Sequence, residues 1–114
     1  MPLDLPAQLV YWVNSLHPAR CAMFDSLDDL ADGFVVADII CSLEGVDRIP
    51  NMEDCETGSS RTWTALSYLS KNIGWDRMPL FTRDRVSSQQ IARGNPALSV
   101  PLLSFLMGRD RSLR

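Results

Sequence analysis

Three cysteines, one histidine and a scatter of aspartates are the residues of this 114-residue chain whose types suggest chemistry. Cys21, Cys41 and Cys55 stand 20 and 14 residues apart with no Cys-x-x-Cys pair, and His17 is the only histidine. A structural zinc site gathers four thiolate or imidazole ligands, and this spacing does not supply them. A thiolate–imidazole pair can be drawn between Cys21 and His17. However, His17 precedes Pro18, a position that avoids helical backbone and so ends a helix. Cys41 shares a helical face with Ala37 and is expected to behave as a small buried apolar side chain. Asp25, Asp28, Asp29, Asp32 and Asp38 do not follow the alternating register of a calcium loop, and helix capping accounts for them more simply. No Walker loop, dinucleotide-binding glycine pattern, nucleophile elbow or HExxH zinc signature is present. The residues therefore predict no catalytic group, no metal and no cofactor, and a chain that is not an enzyme.

Charge is the stronger signal. The net charge is −3, but it is the sum of two unlike halves. Residues 1–58 carry eleven acids against two bases, and residues 59–114 carry nine bases against three acids. Such asymmetry points to a field-driven partner or to two halves of one fold that attract each other. Lys71, Arg77, Arg83, Arg85 and Arg93 are the candidate basic contacts to a protein partner. They lack the interleaved aromatics of single-strand nucleic-acid binders, so no nucleic-acid partner is expected.

The elements that must position these residues are helices. The chain is the size of one domain, is 46% hydrophobic and 22% charged, and has no apolar run long enough to span a bilayer. Its N-terminus has neither the basic nor the apolar region of a signal peptide, so a cytoplasmic setting without membrane contact is expected.

In 4–16, Leu5, Leu9, Trp12, Val13 and Leu16 form one helical stripe, with Asp4 and Pro6 at its start. In 26–45, Ser26 caps a short turn at 26–31. A main helix at 33–44 carries Val36, Ile39, Ile40 and Leu43, and Gly45 closes it. Residues 46–58 read as a loop. Segment 60–73 is helical again, capped by Ser59 or Ser60, with Trp63, Leu66, Leu69 and Ile73 inward and Gly74 at its end.

Residues 75–86 read as irregular, with one turn at 79–81. Ser87 and Gln90 have capping-box spacing for a short turn closed by Gly94. Asn95–Pro96 is an N-cap followed by a first helical residue, and opens a last helix over about 96–107 with Leu98, Leu102, Phe105 and Leu106 inward. Pro101 predicts either a kink or a start delayed to Ser99. No segment alternates as a strand does. The fold class is all-α, with four main helices and short connecting ones.

Three segments resemble a calponin-homology domain. LVYWVNSL (9–16) is similar to the family's opening helix with its inward tryptophan, Trp12. SLDDLADGFVVADIICSLEG (26–45) is similar to its DL-x-DG core, with Leu30, Asp32 and Gly33 in place. QQIARGNPALSVPLLSFLMG (89–108) is similar to its closing Gly-Asn helix, with Gly94 and Asn95. RTWTALSYLSKNIGW (61–75) stands where the family has its central buried helix. The resemblance covers about 5–108 and is greatest to the divergent Hook/NuMA type. It implies a four-helix globule in which Asp32 caps backbone amides and Gly33 permits a tight bend.

The same resemblance implies a non-catalytic interaction module of a cytoskeletal protein, in a microtubule, motor-adaptor or centrosome and flagellar setting. The domain itself is expected to be monomeric. It would be an N-terminal unit over 1–114, followed by coiled coil through which a longer chain would dimerise. The alternative is a structural head that binds a partner helix or a second copy through flexible apolar residues, for which Met23, Phe24, Met78, Leu80, Phe81 and Met107 are the candidates. Actin binding, which in the family uses two such domains in tandem, ranks below both.

Overall fold

Asn95 shows how the local sequence sets the architecture. Its Oδ1 accepts the Ala97 amide at 3.0 Å and its carbonyl accepts the Ser99 amide at 2.9 Å. That is the N-cap geometry that satisfies the orphan amides of a helix beginning at Pro96. In the computed structural model, which describes residues 5–16 and 27–113, five α-helices follow one another. They are α1 (Leu5–Ser15), α2 (Phe34–Glu44), α3 (Gly58–Ile73), α4 (Arg85–Ala92) and α5 (Pro96–Leu113). Short 3-10 turns lie at Leu27–Leu30, Met52–Asp54, Trp75–Arg77 and Leu80–Arg83. Among the described residues there is no strand, and the chain is all-α.

The core forms where α2 meets α3 and α5. Helix α2 is apolar on more than one face, and Val35, Val36, Ile39 and Ile40 are completely buried. Leu9 and Val13 of α1, Leu66 and Leu69 of α3, and Leu102, Leu103 and Leu106 of α5 close around it. Each such side chain contributes about 1.5–3 kcal/mol by leaving water. Helix α5 packs on α1, α2 and α4, and α3 packs on α2 and α4. Of the periodic apolar positions, Leu9, Trp12, Val13, Val36, Ile39, Ile40, Leu43, Leu102 and Leu106 are core positions, Leu16, Leu98 and Phe105 are half-buried at its edge, and Leu103 and Met107 add a second row in α5.

Four local expectations are corrected. Helix α3 is capped by Thr57, whose Oγ1 accepts the Ser60 amide at 3.0 Å, so Ser59 and Ser60 lie inside it. Helix α4 is a full helix capped by Asp84, which accepts the Val86 amide at 2.9 Å. Ser87 is not its cap but a buried residue of its inner face. The irregular stretch after Gly74 holds two 3-10 turns rather than one. Helix α5 begins at Pro96, passes through Pro101 and extends to Leu113. Pro101 and Ala97 are both exposed, so the proline sits on the solvent side of α5 and takes no core position.

The Asp32–Gly33 turn is built as the motif implied. Asp32 Oδ1 accepts the Phe34 amide at 2.8 Å, and Gly33 has φ +77°, in the left-handed region. The start of α3 presses on this turn. A Cβ on Gly33 would lie 2.6 Å from Arg61 Cβ and 2.7 Å from the Gly58 carbonyl oxygen. A Cβ on Gly58 would run into the Ala31 carbonyl. Arg61 then clamps the turn, donating from Nη1 to the Asp32 carbonyl at 2.9 Å and lying 4.5 Å from the centre of the Phe34 ring.

Candidate functional site

Trp63 is the residue from which the surface is built. Helical spacing predicts it inward, but it is only half-buried, because it lies toward the flank of α3 beside the turn that follows. There it stacks on Trp75, with ring centroids 6.0 Å apart and planes 27° from parallel. The first residue of α4 completes the arrangement, since the Arg85 guanidinium lies 5.3 Å from the Trp63 ring centroid. Arg83 Nη2 donates to the Trp75 carbonyl at 2.8 Å. Two tryptophans and two arginines from four elements thus form one continuous set of contacts. A guanidinium held on an aromatic face keeps its remaining donors directed outward and loses little freedom on binding.

The five predicted basic residues, Lys71, Arg77, Arg83, Arg85 and Arg93, are all exposed. Arg83 and Arg85 are the two that the fold fixes on the tryptophan stack. Lys71 is near the end of α3, Arg77 closes the turn after it, and Arg93 follows α4. Trp63 and Trp75 stand near the basic residues in the sequence, but helical spacing turns Trp63 inward, so no aromatic contact from Trp75 is expected. The signal that could have found the contact is the distance of Trp75 from Trp63, twelve residues along and just past a helix-closing glycine.

The apolar candidates divide. Met78 and Met107 are 4% and 8% exposed and belong to the core, so they are not contact residues. They fill irregular gaps beneath the 3-10 turns and at the end of α5, where an unbranched side chain fits. Phe81 is half-buried against the core, whereas Leu80 is 76% exposed and Val86, close to Arg85 in sequence, is 55% exposed. Met23 and Phe24 lie outside the described residues, as do Cys21, His17 and the Ser26 cap. Of the motif residues, Trp12 and Leu30 are buried, Asp32 and Asn95 cap helices, and Gly33 and Gly94 take positive φ.

Two depressions lie near these residues. One, of about 520 Å3, runs from the Asp54–Thr57 segment to Trp63, Arg85 and Gln89, and has Asp54 and Glu56 on its wall. The other, of about 380 Å3, has Ala37, Ile49 and Met52 in its lining, with Asp38, Asp47 and Glu53 set against Arg48 and Arg61. Cys41 and Cys55 both line the second, so Cys41 is half-buried rather than part of the core. Neither is in a disulfide, and Cys55 Sγ lies 3.2 Å from Thr64 Oγ1. Among the described residues no group of three potential metal ligands comes together. None of the helices, among those residues, is long and apolar enough to cross a membrane.

The split charge is partly consumed inside the fold. Glu44 from the acidic half receives Arg109 Nη2 from the basic half on both carboxylate oxygens at 3.0 Å. Lys71, Arg77, Arg83, Arg85, Arg93 and Arg111 of the basic half remain exposed among the described residues. Compared with protein-family models, with curated proteins and with solved structures, the chain has no match.

Proposed function

We propose that this chain is a non-catalytic protein-interaction module that binds an acidic protein surface through the face made by Trp63, Trp75, Arg83 and Arg85. The observation that carries the reading is the Arg85–Trp63–Trp75 stack, which holds cationic groups and half-buried aromatic rings together at the surface. Tryptophan and arginine are the residue types that dominate binding energy at protein interfaces. Exposed Lys71, Arg77 and Arg93 extend the positive field around the stack and speed encounter with an acidic partner.

The calponin-homology-like segments give the reading its cytoskeletal context, with a microtubule or a motor adaptor as the partner. The corresponding experiment is co-sedimentation of the purified chain with microtubules as salt is raised. Pelleting at low ionic strength that fades as the Debye length falls from about 30 Å at 0.01 M to about 8 Å at 0.15 M supports it. No pelleting at low salt removes the microtubule assignment.

A further inference from the structure

The second half of α5 passes the end of α3 beside an open groove of about 500 Å3. Ile73 and Phe105 give it an apolar lining, and Arg77 and Arg109 give it two guanidinium groups. Among the described residues no acidic side chain lines it. Arg109 is fixed by Glu44, which takes its Nη2, while its Nε is buried with no protein partner. Ser104 Oγ, also in the lining, is buried without a partner as well.

Gly108 borders the same groove. It sits inside α5 with no positive φ, and a Cβ placed on it would meet nothing within 4 Å. Neither the backbone nor packing requires a glycine there, although glycine weakens a helix interior by about 1 kcal/mol relative to alanine. What the missing side chain does is keep the groove open.

We propose that this groove takes an acidic peptide segment, with an apolar side chain against Ile73 and Phe105 and a carboxylate held by Arg77 and Arg109. The charge complementarity comes from exposed Arg77 and from the part of the Arg109 guanidinium that Glu44 does not take. The groove is open to solvent, so a peptide can lie along it and reach exposed Arg77. This site shares only Arg77 with the basic face above and does not depend on the microtubule reading.

Fluorescence anisotropy with a labelled EELFEE peptide tests it, with EEGGEE carrying the charge alone and QQLFQQ the apolar pair alone. EELFEE is expected to bind at least about tenfold tighter than either control. Gly108→Leu fills the groove and favours the helix, so it keeps or raises the melting temperature and weakens EELFEE at least about tenfold. Arg77→Ala, at an exposed position, weakens it similarly. Four results overturn the proposal: no binding of EELFEE, equal binding of EEGGEE, unchanged affinity in Gly108→Leu, or full displacement by equimolar 4-phenylbutyrate, which would mark a small-molecule site. Microtubule pelleting by Gly108→Leu is expected to match the parent chain, which separates failure of this site from failure of the basic face.

Discussion

The indole Nε1 of Trp12 donates to Asp110 Oδ2 at 3.0 Å, joining the first helix to the last across 98 residues of chain. Trp12 is 8% exposed, so its N–H is largely removed from water and has a charged acceptor in exchange. A hydrogen bond to a charged group contributes about 1.5–3 kcal/mol when well sheltered, and somewhat less in this partly buried setting. A double-mutant cycle of Trp12→Phe and Asp110→Asn, read by urea unfolding, is expected to give a coupling of about 1 kcal/mol. Additive losses would show that the bond does not help to hold α5 against α1.

Glu44 and Arg109 make the second tie on α5. Their side chains are 11% and 23% exposed, which places the pair between surface and core. Removing one partner of a sheltered pair leaves the other charge desolvated. Glu44→Gln is expected to cost about 1–2 kcal/mol in urea unfolding, with most of the loss persisting at high salt. A loss that disappears on adding salt would class the pair with ordinary surface pairs.

The contact between Gly58 and the Asp32–Gly33 turn leaves no space for a methyl group on either glycine. Gly58→Ala forces the Ala31 carbonyl and the start of α3 apart and is expected to cost at least about 2–3 kcal/mol. Gly33→Ala adds left-handed strain of about 1–2 kcal/mol to its own clash with Arg61 and Gly58. Thermal unfolding of both variants, with Gly108→Ala as the open-space control, checks this. Three equal melting temperatures would contradict the packing.

Pro101 lies in the interior of α5 on its exposed side. Pro101→Ala restores an amide able to reach the Ala97 carbonyl, set against a somewhat freer unfolded chain. A net gain of about 1–2 kcal/mol in unfolding free energy is expected. A loss would mean that the proline fits this helix better than its missing hydrogen bond implies.

The residues that could be read from sequence are those whose cause is local. Leu9, Trp12 and Val13, the α2 stripe, Asn95–Pro96 and the Asp32 cap each follow from spacing or from capping within a few positions, and each is where its pattern put it. Thr57 and Asp84 were missed because several polar residues compete for the cap, and tertiary packing of α3 and α4 decides among them. The length of α5 was missed because its last turn looks like a charged tail until Arg109 and Asp110 find Glu44 and Trp12. The basic residues of the candidate face were legible as charges. The tryptophan stack was not, since it depends on a turn that brings Trp75 back onto Trp63. Met78 and Met107 were misplaced because flexible apolar side chains suit a core gap as well as a surface.

The central claim, that the tryptophan–arginine face binds an acidic partner, is tested most directly by charge reversal in microtubule co-sedimentation at low salt. The double variant R83E/R85E is compared with R48E, which reverses an exposed arginine outside the face. R83E/R85E is expected to bind at least about tenfold more weakly, with little change in R48E. Equal binding by all three, or equal losses in both variants, would contradict the claim.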